Sequence, residues 1–200
     1  IISVYNLLNQ GVGVMLTDYV GLGTTDRVHT YMNRLDQAHT VNDAARAALQ
    51  LPGTSLKKDS KVGFHGYSQG GGASGAAAEL QPTYAPELNL AGAYVGAPPA
   101  DLAATVPGID GSVLAAALAW TINGLLSYCP DLAPKIDQYM NDKGKAALTD
   151  SATRCIGDGA TKYMFTKTTS LTKTGQNLSQ VLTKEPALKA VVDAQRIGKL

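Results

Sequence analysis

No block of basic residues runs through the 200-residue sequence, in which 17 lysines and arginines stand against 16 aspartates and glutamates for a formal net charge of +1. Proteins that hold nucleic acid use clustered cations to neutralise phosphates, so this balance argues against a nucleic-acid surface. No apolar run reaches the roughly 20 residues that a bilayer-spanning helix needs; the longest, residues 113–122, is followed by Asn123 and Gly124. Cysteine and histidine are scarce as well. Cys129 and Cys155 lack C-x-x-C spacing, and His29, His39 and His65 are scattered, so no metal site is expected. The sequence opens at Ile1-Ile2 with no Met, no basic stretch and no small-residue cleavage site, so either a leader has been removed or the start of the domain is missing.

What is present, 44% hydrophobic residues with only 16% charged, suits one globular domain with a real core. The two cysteines, 21 glycines, 9 prolines and few charges suggest a secreted chain with a Cys129–Cys155 disulfide across 25 intervening residues. Two reduced thiols in a cytosolic protein are the alternative.

The first hundred residues alternate between helix and strand patterns. Residues 3–10 look like the end of a helix stopped at Gly11, and residues 12–17 are an apolar run of strand length. Leu35, Ala38, Val41, Ala45, Ala48 and Leu49 recur at helical spacing across residues 34–50, and Leu51-Pro52-Gly53 ends that element. A second strand at 61–65, a Gly/Ala-rich helix at 69–80 and a third strand at 90–96 complete the alternation. Such alternation predicts a parallel sheet with helices on both faces. After Pro99 the strand patterns give way to amphipathic segments at 112–127, 131–141, 143–149, 175–182 and 185–195, read as a helical insertion. The Thr/Lys-rich stretch 166–173 is expected to be a surface loop, and there is no internal repeat.

Gly66-Tyr67-Ser68-Gln69-Gly70 is a G-x-S-x-G pentapeptide between the strand at 61–65 and the helix at 69–80, the context of a nucleophile elbow. The sharp turn strains the serine backbone, and Gly66 and Gly70 are expected to be glycines because side chains there would collide. Gly71, Gly72, Ala73 and Gly75 would let the helix pack closely under the sheet. Ser68 Oγ would then stand at a helix N-terminus, where backbone N–H groups stabilise an oxyanion. A glycine-rich helix start of purely structural use is the alternative.

Asp18 lies at the end of the first predicted strand, where open α/β sheets build their sites. It is a candidate acid, a turn-fixing carboxylate or a backbone donor to an oxyanion. As a triad acid it precedes the serine, whereas such hydrolases run Ser, Asp or Glu, then His. No histidine follows Ser68. His65 belongs to a strand expected to be buried, His39 to the helix at 34–50, and His29 to a loop near Asp26 and Tyr31. A serine needs a base within hydrogen-bond reach, so the simplest reading is that the sequence stops before its acid and base.

Several runs together resemble one family. They are Leu7-Leu8-Asn9-Gln10-Gly11, Thr17-Asp18-Tyr19 with Gly21-Leu22-Gly23-Thr24, Ala45-Arg46-Ala47-Ala48, and His65-Gly66-Tyr67-Ser68-Gln69-Gly70-Gly71. Ala78-Glu79-Leu80, Tyr84-Ala85-Pro86-Glu87-Leu88 and Gly96-Ala97-Pro98-Pro99-Ala100-Asp101-Leu102 add to them. They resemble the secretory lipase family of Candida antarctica lipase A through most of residues 1–102, and more loosely as far as Gln195-Arg196-Ile197-Gly198.

The resemblance implies an α/β-hydrolase, a mostly parallel sheet flanked by helices and truncated at both ends. Residues 1–101 would form part of the core, and residues 102–200 a helical cap inserted over the site. It implies a secreted or cell-envelope-associated lipase or carboxylesterase that cleaves lipid esters of the triacylglycerol type, without a cofactor, while the cap touches the lipid interface transiently. Ser68 would be the nucleophile, and the backbone N–H groups of Gln69 and Asp18 the oxyanion hole. The family's upstream His-Gly strand and downstream aspartate and histidine have no counterpart in these residues. Within the cap, Val113, Leu114, Leu118, Trp120, Ile122, Leu125 and Leu126 are too many apolar groups for one helix stripe and would line an acyl passage, with plain core packing as the alternative. Cys129 and Cys155 would clip this cap. An acyltransferase on lipid or sugar acceptors and a non-catalytic hydrolase-fold module remain open. Cutinases share the Gly-Tyr-Ser-Gln-Gly elbow, and Cys155-Ile156-Gly157-Asp158 hints at their acid, but no histidine follows it and a cutinase has no place for the helices after Pro99.

Overall fold

Helix α1 (Ile2–Asn9) buries none of its residues and ends before Gly11, which turns the chain at φ +78°, in a computed structural model that describes residues 2–24 and 26–199. Helix α2 (Arg34–Leu49) starts at Asn33, whose side chain accepts the Asp36 N–H at 2.9 Å and so satisfies one of the donors that a helix leaves open. Strand β1 (Val62–Tyr67), helix α3 (Gln69–Tyr84) and strand β2 (Leu90–Gly96) follow. The strands pair in parallel, with His65 opposite Tyr94 and Tyr67 opposite Gly96, and α3 is the crossover that a parallel pair requires.

Helix α3 lies against both strands and buries small residues, Gly71, Gly72, Ala73, Ala76 and Ala77; Gly71 meets the end of β2 at the Gly96 carbonyl. Helix α2 packs beside α3, where the Asn42 side-chain amide donates to the Ala77 carbonyl at 3.1 Å and Arg34 meets Glu79 at 2.8 Å. Phe64, Ala77, Ala85 and Leu88, with Val41, Ala45 and Leu49, form the core of this layer. The opposite face of the strands leaves His65, Tyr67 and Tyr94 exposed.

The helical part consists of α4 (Leu102–Ile109), α5 (Ala116–Tyr128), α6 (Ala133–Tyr139), α7 (Asp142–Ser151), α8 (Ile156–Tyr163), α9 (Leu178–Lys184) and α10 (Pro186–Ala194), with single 3₁₀ turns at Pro130–Leu132 and Thr168–Ser170. Met32, Leu102, Leu125 and Val192 form its core with Tyr31 and Leu182, which joins α4, α5 and α10 to the segment before α2. Trp120 lies against Gly159, where a Cβ would come within 2.4 Å of the indole, so this contact between α8 and α5 requires a glycine. None of the described helices is long and apolar enough to cross a membrane.

Three expectations need correction. Residues 12–17 are not a strand: a strand needs a partner for its backbone groups, β1 pairs only with β2 among the described residues, and Val12, Met15 and Leu16 are exposed. Helices α4 and α8 were not foreseen. Pro107 and Gly108 hide α4 from a propensity reading, yet Asp101 caps it by accepting the Ala104 N–H at 3.0 Å. The stretch 166–173 is a surface loop as expected, anchored where the Asp110 carboxylate accepts the Thr168 N–H and hydroxyl, each at 2.7 Å. The Cys129–Cys155 disulfide is not formed: both are free thiols, at the end of α5 and just before α8. An even count of cysteines carries no information on whether their Cβ atoms approach to the ~3.8 Å that a disulfide needs.

One carboxylate ties α7 to α8. Asp150 accepts from Arg154 at 2.7 Å, Lys162 at 2.8 Å and the Tyr163 hydroxyl at 2.6 Å. These bonds hold its pKa well below the usual carboxylate range, while burial and the bond to Asp150 push the Tyr163 hydroxyl up to about 12. A depressed folded-state pKa stabilises above the ordinary Asp value of ~3.9, and that stabilisation fades as pH falls below it. Asp150→Asn should therefore lower Tm at pH 7, and thermal unfolding at pH 7 and pH 3 should show the gap from wild type shrinking at the lower pH.

Candidate active site

Strand β1 delivers the chain to Ser68, and α3 starts at the next residue. Ser68 has φ 55° and ψ −118°, outside the regions that non-glycine residues favour. Two backbone bonds fix this turn: Ser68 N–H donates to the Gly96 carbonyl at 2.9 Å, and Gly72 N–H donates to the Ser68 carbonyl at 3.0 Å. The first tethers the turn to the end of β2. The second is the first helical bond of α3, so the N–H groups of Gln69, Gly70 and Gly71 have no helical acceptor. Ser68 is exposed, and its side chain makes no capping bond.

The two motif glycines are not equivalent. A Cβ on Gly66 would lie 2.0 Å from the Gly70 carbonyl oxygen, whereas one on Gly70 would have only the Tyr19 hydroxyl, at 4.0 Å. The expected symmetry of the pentapeptide is therefore corrected: Gly66 must be bare to clear the Gly70 carbonyl, and Gly70 supplies that carbonyl. The second steric requirement falls on Gly71, whose Cβ would sit 2.2 Å from the Gly96 oxygen.

Asp18 is exposed and lies in a loop whose next residue, Tyr19, brings its hydroxyl near Gly70 at the start of α3. Its carboxylate sits against Gly23, where a Cβ would be 3.3 Å from Oδ2. The turn that follows is closed by other groups, the Leu22 N–H to the Tyr19 carbonyl at 2.9 Å and Gly21 at φ +85°, so the turn-fixing reading of the Asp18 side chain gives way to backbone closure. Tyr19 reaches α3 through its hydroxyl, and burial raises its pKa.

Each of the three histidines is engaged by another side chain. His39, half-buried on α2, packs on Tyr84 at 4.2 Å between ring centroids, in keeping with a boundary residue. His65 is exposed on the open face of β1, not buried as expected, and stacks on Tyr94 at 4.7 Å. His29 places Nδ1 2.9 Å from the Val20 carbonyl oxygen and Nε2 2.9 Å from the Gln69 side-chain amide. This contact next to the elbow was missed in the sequence, where 39 intervening residues separate the two and only the polar residue after Ser68 gave a hint. Among the described residues, no group of three or more His, Cys, Asp or Glu is placed to hold a metal ion.

Away from the elbow, a cavity of about 80 Å³ lies among α4, α5, α9 and α10, walled by Leu118, Ile122, Leu125, Leu126, Val181 and Val192. Of the apolar residues expected to line an acyl passage, α5 supplies Leu118, Ile122, Leu125 and Leu126 to this cavity. Val113 and Leu114 are exposed, and Trp120 packs on Gly159.

The secretory lipase family model matches residues 1–200. The chain is 34% identical over 195 residues to Lipase 4 of Candida albicans, covering 94% of this chain and 40% of that protein. It is 32% identical over 194 residues to a secreted triacylglycerol lipase of Malassezia restricta, covering 96% and 39%. The closed-state crystal structure of Candida antarctica lipase A superposes with a TM-score of 0.70 at 27% identity, over 84% of this chain and 39% of that one. The rice cell wall degrading esterase LipA of Xanthomonas oryzae gives 0.72 at 19% identity over 89% and 50%, a likeness of fold alone. The chain thus spans about 40% of the length of the curated relatives it matches. With a serine elbow between parallel strands and a family match along its whole length, the chain has the α/β-hydrolase fold and belongs to the secretory lipase family.

Proposed function

We propose that this chain carries the nucleophile of a secreted lipase, with Ser68 attacking the carbonyl carbon of a lipid ester. The observation that carries this reading is the Ser68 backbone, strained at φ 55° yet exposed at the start of a helix whose first N–H groups are free. The Malassezia restricta relative, a secreted triacylglycerol lipase by name, supports both the secretion and the substrate class.

In the first step a bond forms between Ser68 Oγ and the carbonyl carbon as the hydroxyl proton passes to a general base. The resulting oxyanion accepts from the N–H groups of Gln69 and Asp18. Collapse expels the alcohol, which takes the proton, and water then repeats the sequence to release the free acid. His29 has its lone pair engaged by Gln69, His39 and His65 are stacked on tyrosines, and no histidine follows Ser68. The base and its acid partner are accordingly assigned to residues outside 1–200, in the order Ser, Asp or Glu, His. Product analysis with a triacylglycerol should show mainly free fatty acid. Acylated acceptor in excess of free acid would make the protein a transferase.

In this reading residues 102–200 are the cap over the core of residues 1–101 and make its transient contact with a lipid surface, either in the medium or at the cell envelope. The cavity of about 80 Å³ is smaller than the ~300–1,000 Å³ of small-molecule sites, so an acyl chain enters it only as the helices part. Leu118→Trp and Leu125→Trp fill that space and should lower long-chain turnover relative to short-chain turnover by about an order of magnitude. An unchanged ratio across a series of p-nitrophenyl esters would leave the cavity as plain core packing.

A further inference from the structure

We propose that His29 is a positioning residue for the oxyanion hole, acting through Gln69. The inference rests on the reading of Ser68 as nucleophile and adds to it the group that holds the two N–H donors at a fixed spacing. Those donors come from different parts of the chain, Gln69 from the start of α3 and Asp18 from the loop that carries Tyr19. Nothing covalent sets the distance between them.

His29 bridges the two segments. Its Nδ1 lies 2.9 Å from the Val20 carbonyl oxygen, two residues after Asp18. A carbonyl can only accept, so Nδ1 carries the proton, and Nε2 of the neutral ring is then an acceptor. Facing that lone pair at 2.9 Å is the Gln69 side-chain amide nitrogen, a donor. The tautomer of His29 and the orientation of the Gln69 amide thus fix one another. Reversing the amide would set its oxygen against a lone pair. That bond occupies the one free lone pair of His29, which is therefore aimed at Gln69 in this structure.

The ring has little freedom to turn. Tyr19 stacks on it, with centroids 6.0 Å apart and planes at 18°, and Tyr31 meets it edge-on at 5.9 Å. Gly21 lets the loop fold back this far, since a Cβ there would lie 2.6 Å from His29 Cα. The Val20 carbonyl also accepts the Thr30 N–H at 3.2 Å. From the other side, the Ser127 hydroxyl on α5 donates to the Val28 carbonyl at 3.0 Å. The loop is therefore held between α3 and α5, with His29 as its polar link to the elbow.

Removing one oxyanion donor costs about 10²–10³-fold in kcat, and a misplacement of ~1 Å about 10²-fold. A group that only sets donor spacing should act at the lower end of that range. In the full-length protein with p-nitrophenyl butyrate as substrate, His29→Ala should lower kcat by about 10–100-fold and change KM by less than about threefold. Gln69→Ala, which keeps the backbone N–H, should do the same, and the double variant should be no worse than the poorer single one. Losses that multiply in the double variant, or a raised KM with normal kcat, would overturn the inference. If His29→Ala does not fold, Gln69→Leu with the histidine in place gives the same reading: reduced kcat supports it, and unchanged kcat overturns it. The ¹⁵N resonances of His29 provide a second check, since protonation at Nδ1 is expected and protonation at Nε2 alone contradicts the bridge. Ser68→Ala separates the two levels. Full activity in that variant removes the nucleophile reading and this inference with it, whereas lost activity beside multiplying His29 and Gln69 effects removes the inference alone.

Discussion

Replacing Ser68 by alanine in the full-length protein is expected to lower kcat for ester hydrolysis by about 10⁴-fold or more, with KM near the wild-type value. The substitution removes the atom that bonds to the acyl carbon and leaves the binding surface and the free N–H groups of α3 in place. Structure should not confuse the result. Ser68 is exposed and its hydroxyl caps nothing. Alanine at φ 55° meets the same Cβ strain as serine, and the Ser68 N–H to Gly96 bond belongs to the backbone. Circular dichroism and Tm should match wild type while turnover collapses. Retained turnover would move the chemistry to another residue.

Gly66→Ala and Gly71→Ala are expected to cost about 3 kcal/mol or more each, a large part of the ~5–15 kcal/mol that holds a typical domain folded. At Gly66 the new methyl would lie 2.0 Å from the Gly70 carbonyl oxygen and 2.2 Å from its carbon. At Gly71 it would lie 2.2 Å from the Gly96 oxygen, where α3 crosses the end of β2. Both obstacles are backbone, and a rotamer change cannot clear them. Gly70→Ala is the internal control. Its Cβ has only the Tyr19 hydroxyl at 4.0 Å, and alanine in a helix is favoured over glycine by ~1 kcal/mol. Urea midpoints should fall steeply for the first two variants and hold or rise for the third. Equal losses at all three would mean that the elbow is held by something other than these close approaches.

The elbow and the elements around it were legible because local chemistry determines them. Leu90–Gly96 is a strand at the predicted bounds, and α2 ends one residue before the predicted 34–50. The helix carries its own periodicity and the Leu51-Pro52-Gly53 stop, and the strand is an apolar run that ends before Ala97-Pro98-Pro99. The predicted helix end at Leu80 fell short because α3 runs on through Pro82 to Tyr84, where the Gln81 side chain donates to the Ala85 and Leu88 carbonyls at 2.9 and 3.1 Å. Residues 12–17 have the composition of a strand, but pairing is a property of neighbours, and the run alone does not supply one. His29 illustrates the same limit at the site. Its role arises from the Gly21 turn and from two bonds to distant atoms, and no spacing rule in a single sequence encodes them.

The most direct test of the central claim is to treat the full-length protein with a fluorophosphonate probe, digest it and map the adduct by mass spectrometry. A phosphonyl group on Ser68, formed with loss of fluoride and absent from Ser68→Ala, is the predicted result. A labelled peptide that does not contain Ser68, or equal labelling of wild type and Ser68→Ala, would contradict it.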